Sequence, residues 1–222
     1  MSTLALDEAA AEICRIGRSL FDRGYVHATA GNISVKLDDG RYLITPTDAC
    51  LGTLQPDRLA LVDALGQQVS GDRASKTLTL HRRIYATAPE AACVIHTHST
   101  HLVALTLSGV WKHDDILPPI TPYYVMKVGH VPLIPYHRPG DPNVAELVAQ
   151  RIQQRIGLGT PIRAVMLDRL GPNVWHRSPA EASAVLEELE ETAKLWLMSG
   201  RQVEPLNEVA LSQLRQAFGA AW

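Results

Sequence analysis

Apolar residues at Leu6, Ala10, Ile13, Gly17, Leu20 and Phe21 recur at helical spacing and predict an amphipathic first helix, closed by Gly24. The period then changes. Small residues at Thr29-Ala30-Gly31 lead into Asn32-Ile33-Ser34-Val35-Lys36, a short strand. Asp38-Asp39-Gly40 is a hairpin turn and Tyr42-Leu43-Ile44 the returning strand. Leu59 to Asp63 reads as a further strand, with a turn at Gly66. A polar loop from Gly71 to Thr77 opens a helix carrying Leu80, Ile84, Tyr85 and Ala88, which Pro89 stops. The apolar run from Ala91 to Ile95 reads as a strand, and Thr100 to Leu107 as a helix.

In the second half, Leu117 to Tyr124 is too rich in proline for regular structure, and Val131 to Tyr136 is an edge strand at best. Asp141-Pro142 starts a helix, with Asp as N-cap and Pro at the first position; it carries Val144, Leu147, Val148, Arg151 and Ile152 and ends before Gly157. Ile162 to Leu167 is a buried strand, and Val174-Trp175 follows across a turn at Gly171-Pro172-Asn173. Ser178-Pro179-Ala180-Glu181 is a capping box that opens the longest helix, running to Gly200. The tail, residues 201–222, has Leu206, Val209, Leu214, Phe218 and Trp222 at near-helical spacing and is expected to pack on its own or a neighbouring subunit.

Composition narrows the class. A chain of 222 residues, 46% apolar and 20% charged, is expected to be a single globular domain over residues 1–222. A net charge of −2 without a Lys/Arg block argues against nucleic acid or an anionic membrane as the partner. Cys14, Cys50 and Cys93 form no C-x-x-C, so neither a disulfide framework nor a zinc knuckle is suggested. No apolar run approaches a membrane span and no signal pattern leads the chain, so a cytoplasmic protein is expected.

Candidate chemistry centres on Cys93-Val94-Ile95-His96-Thr97-His98-Ser99. On a strand, residues i and i+2 face the same side, so the two imidazoles can reach one metal ion. The alternative is a pair of hydrogen-bonded histidines at a strand edge. A catalytic zinc usually takes three protein ligands, so the pair is incomplete alone. The loops Gly31-Asn32 and Thr47-Asp48 flank one hairpin and could converge on an anion; the alternative is ordinary turn chemistry. Ser75-Lys76 at a helix start offers a second anion cradle, against the alternative of an N-cap serine beside a solvated lysine.

Three stretches, Thr29-Ala30-Gly31-Asn32-Ile33-Ser34, Leu43-Ile44-Thr45-Pro46-Thr47 and Val94-Ile95-His96-Thr97-His98, resemble the class II aldolase/adducin family, from about Leu6 to Gly200. Thr121 to Gly129 and Pro135 to Asp141 look closest to its 3-oxo-tetronate 4-phosphate decarboxylase branch. The resemblance implies a three-layer α/β/α sandwich with a central, largely antiparallel sheet. It implies a homotetramer with active sites between subunits, and Zn²⁺ or another divalent metal. By position, His96 and His98 match metal ligands, and Asn32, Thr47, Asp48, Ser75 and Lys76 match phosphate-binding positions.

Two departures bear on mechanism. The aldolases carry an acid/base Glu four residues before the histidine matching His81, where this chain has Thr77. The family's third metal histidine is replaced by Leu170, which cannot ligate; His137, His130 or a histidine of another subunit could fill the gap. Aldol cleavage needs a base to remove a hydroxyl proton, whereas a β-keto acid loses CO₂ with its carboxylate already ionised. The expected activity is therefore decarboxylation of a small phosphorylated sugar acid, a 3-oxo-tetronate 4-phosphate, to dihydroxyacetone phosphate. Lys76 or the metal would stabilise the oxyanion, and water, Tyr123 or Tyr124 would protonate carbon. The alternatives are a sugar-phosphate aldolase or epimerase, and a non-catalytic adducin-like scaffold.

Overall fold

The computed structural model describes residues 6–222, so residues 1–5 of the expected domain lie outside the described residues. The elements alternate between helix and strand. They are α1 (Leu6–Asp22), β1 (Asn32–Lys36), β2 (Tyr42–Ile44), β3 (Ala60–Val62), β4 (Gln68–Ser70), α2 (Leu78–Thr87), β5 (Cys93–His96) and α3 (Thr100–Ser108). There follow a π-helical turn (Tyr124–Val128), β6 (Leu133–Ile134), α4 (Asn143–Gly157), β7 (Ala164–Leu167), β8 (Gly171–His176), α5 (Pro179–Met198) and α6 (Glu208–Phe218). The strands form an eight-stranded sheet in the order β4-β3-β2-β1-β5-β8-β7-β6. It is mostly antiparallel, with β6 and β7 a parallel pair. The fold is α/β, as the resemblance implies.

Cα proximity divides the chain into two compact units. The first comprises residues up to His98 together with Trp175–Ser183. Here the strand period of two separates two faces. Ser34, Tyr42, Ile44, Ala60 and Val62 face α2: Ser34 bonds to His81 and Tyr85, and Ile44, Ala60 and Val62 pack with Leu78. Ile33, Val35, Leu43 and Leu61 alternate with them onto the opposite side and are buried. There α1 packs on β1 and β2, burying Ile13, Ile16 and Leu20. A Cβ on Gly17 would come within 2.8 Å of the Leu51 carbonyl, so glycine is what lets α1 seat against the turn Leu51–Thr53. Helix, sheet and helix thus form three layers.

The second unit comprises Ser99–Val174 and Ala184–Trp222. The tail helix α6 packs on the π-helical turn of its own chain: Leu211 and Ala220 join Val125, with Met126, Leu206, Leu214 and Trp222 around them. No described helix is long and apolar enough to cross a membrane.

The structure corrects several local expectations. Helix α4 runs from Asn143 through Gly157 with Pro142 rather than Asp141 at the cap position, although Asp141 Oδ1 still accepts from Asn143 N–H at 3.0 Å. Gly171-Pro172-Asn173 is strand, not turn; the reversal comes at Asp168–Leu170, where Arg169 takes φ +60°. Pro172 is tolerated there opposite Met166. Pro122 and Tyr123 lead into a helical turn despite the prolines before them, because Tyr124 N–H finds a cap in Thr121 Oγ1 at 3.1 Å. β4 carries no apolar alternation that reveals it, since all three of its residues are exposed.

Candidate functional site

Three loops meet in the first unit through backbone bonds. Thr45 N–H donates to the Ile33 carbonyl at 3.0 Å, and Ile33 N–H donates to Thr45 Oγ1 at 3.2 Å. Beyond β2 the chain pairs again: Thr47 N–H donates to the Arg73 carbonyl at 2.9 Å, and Ser75 N–H to the Thr45 carbonyl at 3.3 Å. The segments 31–34, 45–48 and 73–78 are therefore held together mainly by backbone bonds, with Thr45 Oγ1 as a side-chain tie between the first two.

On β1, Asn32 stands directly opposite His96 of β5, so the two side chains share a face. Asn32 is only 6% exposed, and among the described residues its Oδ1 has no hydrogen-bond partner. Gly31 makes the close register possible. It has φ +86°, and a Cβ there would lie 2.9 Å from the His96 carbonyl.

Ser75, Lys76 and Thr77 lead into α2. Ser75 Oγ lies 2.9 Å from Thr77 Oγ1, and Leu78 N–H donates to the Ser75 carbonyl at 3.2 Å. Thr77 occupies the cap position of α2 without a side-chain cap bond, so Ser75 is not the N-cap. Lys76 is exposed, and among the described residues nothing pairs with its ammonium. Asp48 is exposed with φ +56°, a conformation open to Asp.

His96 closes β5 and is buried; His98, just past it, is half-buried. Their ring centroids lie 5.1 Å apart with planes at 68°. Burial, and then the nearby His27, hold the His98 imidazole below its usual range, which favours the neutral, ligating form. Above the same sheet face, burial and then His96 push His81 down to about 3. Its Nδ1 lies 2.8 Å from Ser34 Oγ, which lies 2.7 Å from the Tyr85 hydroxyl. Tyr85 donates its single proton to the Ser34 carbonyl at 2.8 Å, so Ser34 Oγ–H donates either to the tyrosine oxygen or to His81. The sequence does not reveal this buried relay; its one signal is a polar Ser34 between the apolar Ile33 and Val35.

A divalent metal, which the family implies, finds two donors here and not three. His96 and His98 fit as adjacent ligands on one face. Among the described residues, no three His, Cys, Asp or Glu side chains are grouped to hold an ion. In the second unit, His130 is bound through Nδ1 to Asp115 Oδ2 at 2.7 Å and stacked on Trp222, and His137 Nδ1 lies 2.7 Å from the Pro135 carbonyl. Leu170 ends the turn before β8, its N–H bonded to the Leu167 carbonyl.

The two candidate tyrosines of the second unit differ sharply. Tyr124 is fully buried with its ring edge-on to Trp222, and among the described residues its hydroxyl has no partner; burial, and then Asp115, raise its pKa. Tyr123 is 60% exposed.

The description "Class II Aldolase and Adducin N-terminal domain" matches residues 11–197. The chain is 59% identical over 218 residues to a 3-oxo-tetronate 4-phosphate decarboxylase of Cupriavidus necator, covering 95% of this chain and 96% of that one. An L-fuculose phosphate aldolase of Methanocaldococcus jannaschii is more distant, at 33% identity over 85% of this chain and 95% of its own. The crystal structure of YgbL from Klebsiella pneumoniae superposes with a TM-score of 0.86 at 42% identity, over 95% of this chain and 99% of that one. The chain belongs to the class II aldolase and adducin family.

Proposed function

We propose that this protein is a carboxy-lyase that converts a 3-oxo-tetronate 4-phosphate to dihydroxyacetone phosphate and CO₂. The observation that carries the reading is the neutral Thr77, beside Ser75 in the anion loop, where the aldolases place their carboxylate. The name of the 59% identical relative supports it.

The phosphate is taken by the stitched loops: Thr47 and Ser75 offer hydroxyls, Asn32 its amide, Asp48 a backbone N–H, and Lys76 an unpaired ammonium. A charge-assisted bond from such a cation contributes about 1.5–3 kcal/mol. With the phosphate anchored, the 3-oxo group is presented towards His96 and His98. The C–C bond to the carboxylate breaks, CO₂ leaves, and the electron pair moves to the 3-oxo oxygen to give an enolate. No base is required, so Thr77 serves in place of a carboxylate and spares the anionic substrate a repulsion. Zn²⁺ or another divalent ion held by His96 and His98 would supply positive charge for the developing oxyanion. Any further donor would have to come from water, substrate or another subunit.

Protonation at carbon falls to water or to Tyr123, whose exposed hydroxyl can serve a neighbouring subunit's site in a homotetramer. Tyr124 is ill suited, because its hydroxyl is sealed in the core of its unit. A paired assay tests the reading. CO₂ release from the oxo-acid phosphate, with little aldehyde release from L-fuculose 1-phosphate, is expected. Efficient aldehyde release without CO₂ overturns it.

A further inference from the structure

We infer that Gln68 is a positioning residue for the anion loop, a clasp that sets where Ser75 and Lys76 meet the phosphate of the substrate. The inference rests on the phosphate role proposed for that loop. Gln68 lies on the edge strand β4 and is exposed, a place where side chains ordinarily make one or two fleeting bonds to water. Instead its amide lies within hydrogen-bonding distance of four backbone groups of one short stretch, its two N–H groups shared among three carbonyls. Nε2 lies within 3.2 Å of the Ser70 carbonyl, 3.0 Å of the Gly71 carbonyl and 2.8 Å of the Asp72 carbonyl, while Oε1 accepts from Ala74 N–H at 3.0 Å. Both ends of the amide are used, so the polarity of the group matters as well as its shape.

The strand geometry explains how Gln68 reaches the loop. Val62 pairs with Gln68 and Leu61 with Ser70, so Val69 is an extra, bulged residue. A bulge bends its strand and re-aims the neighbouring side chain. Val62 belongs to the face that packs on Leu78 of α2, and its partner Gln68 projects to the same face, beneath the segment that runs into α2.

The segment is anchored at its other points as well. Asp72 N–H donates to the Arg58 carbonyl at 3.0 Å, and Arg58 Nε donates to Asp72 Oδ2 at 2.7 Å. Gly71, at φ +81°, passes so close to Leu59 that a Cβ would run into its carbonyl. Arg73 carbonyl and Ser75 N–H then bond to Thr47 and Thr45. Between these two anchorages lies Ala74, and Gln68 Oε1 holds its N–H. The next residues are Ser75 and Lys76. Gln68 also lines, with Arg73, Ser75, Lys76, Thr79 and Arg82, a cavity of about 250 Å³ that contains no acidic side chain. Loss of the clasp therefore frees the loop directly before its ligand-binding residues, on the side that carries its cations.

The test uses the full chain and three variants, with Lys76→Met as the control for the phosphate role. Gln68→Ala removes the clasp; Gln68→Glu keeps its length and an acceptor but sets a carboxylate oxygen against the three carbonyls in place of the donating N–H groups. Both are expected to raise KM for the phosphorylated substrate about tenfold, with kcat within about threefold, since several modest bonds are lost outside the reacting centre. Both are expected to weaken binding of inorganic phosphate in calorimetry and to speed amide exchange at Ala74 to Lys76. A residue that merely supports the strand edge would be rescued by the isosteric Gln68→Glu. Wild-type KM in Gln68→Glu, with KM raised in Lys76→Met, overturns the clasp and leaves the phosphate reading standing. Wild-type KM in Lys76→Met overturns the phosphate reading and the clasp with it.

Discussion

The anion loops and the histidine pair sit in the same unit but are built differently. Around residues 31–34, 45–48 and 73–78 the main chain bonds to itself, with Thr47 N–H on Arg73 and Ser75 N–H on Thr45, so the frame of the cradle is main chain, fastened by the side chains of Thr45 and Gln68. At His96 and His98 a candidate site rests on side chains alone, and among the described residues no third His, Cys, Asp or Glu is grouped with them. The difference teaches where this fold tolerates change. Removing one ligand from a side-chain site removes a large part of it. Removing one ligand-facing side chain from a main-chain cradle leaves the cradle in place.

The largest effect is accordingly expected at the histidines. His98→Ala should bring bound metal to background by elemental analysis and cost at least about 10²-fold in turnover, since even residues behind the ligands of a metal site are worth 10- to 100-fold. Full metal content in that variant would remove the contrast between the two regions. On the cradle side, Lys76→Met should raise KM for the phosphorylated substrate by about one to two orders of magnitude and leave the melting temperature nearly unchanged. A lost melting transition with unchanged KM would make Lys76 structural.

Between the two regions lies His81, whose burial has a consequence for acid stability. Its pKa is about 3 in the folded protein against 6.5 for the free group. Above pH 6.5 both states are neutral and its contribution is complete. As pH falls, the unfolded chain takes the proton first, and stability drops by about 1.4 kcal/mol per pH unit until the folded value is reached. Urea unfolding at pH 7 and pH 5 should therefore show a loss in the wild type that is smaller by about 2 kcal/mol in His81→Gln. Equal losses in both proteins would show that His81 is not the group responsible. The smallest effect is expected at Thr77. Thr77→Ala should retain kcat for the oxo-acid phosphate to within a few-fold, whereas loss of a catalytic base costs about 10²- to 10⁴-fold. A loss in that range would give Thr77 a direct part in the chemistry.

Much of this arrangement is written in local sequence. The His96-x-His98 pair, the hairpin of β1 and β2 and the capping box at α5, where Glu181 N–H bonds to Ser178 Oγ at 3.2 Å, depend on neighbours in the chain and were readable. The convergence of Asn32, Thr47 and Ser75 was readable in part, because two of the three loops flank one hairpin. What escaped depends on partners distant in sequence. The Tyr85–Ser34–His81 relay joins residues 47 and 51 positions apart. β4 is too short and too polar to show a period, and with it Gln68 stayed hidden. The choice between Tyr123 and Tyr124 turned on which way a helical turn rotates, and composition carries no such information.

The backbone bonds that join Thr45, Thr47, Arg73 and Ser75 also bear on how such a protein can acquire new substrates. Main-chain geometry is indifferent to most substitutions, so the positions it displays can be exchanged one at a time while the frame persists. A carboxylate can become a hydroxyl at position 77, or a serine hydroxyl be traded at position 75, and the chain still folds to present whatever stands there. For protein engineers, positions 47, 75, 76 and 77 are a compact library site: a few codons, varied together, would sample head groups and reaction types on one unchanged scaffold.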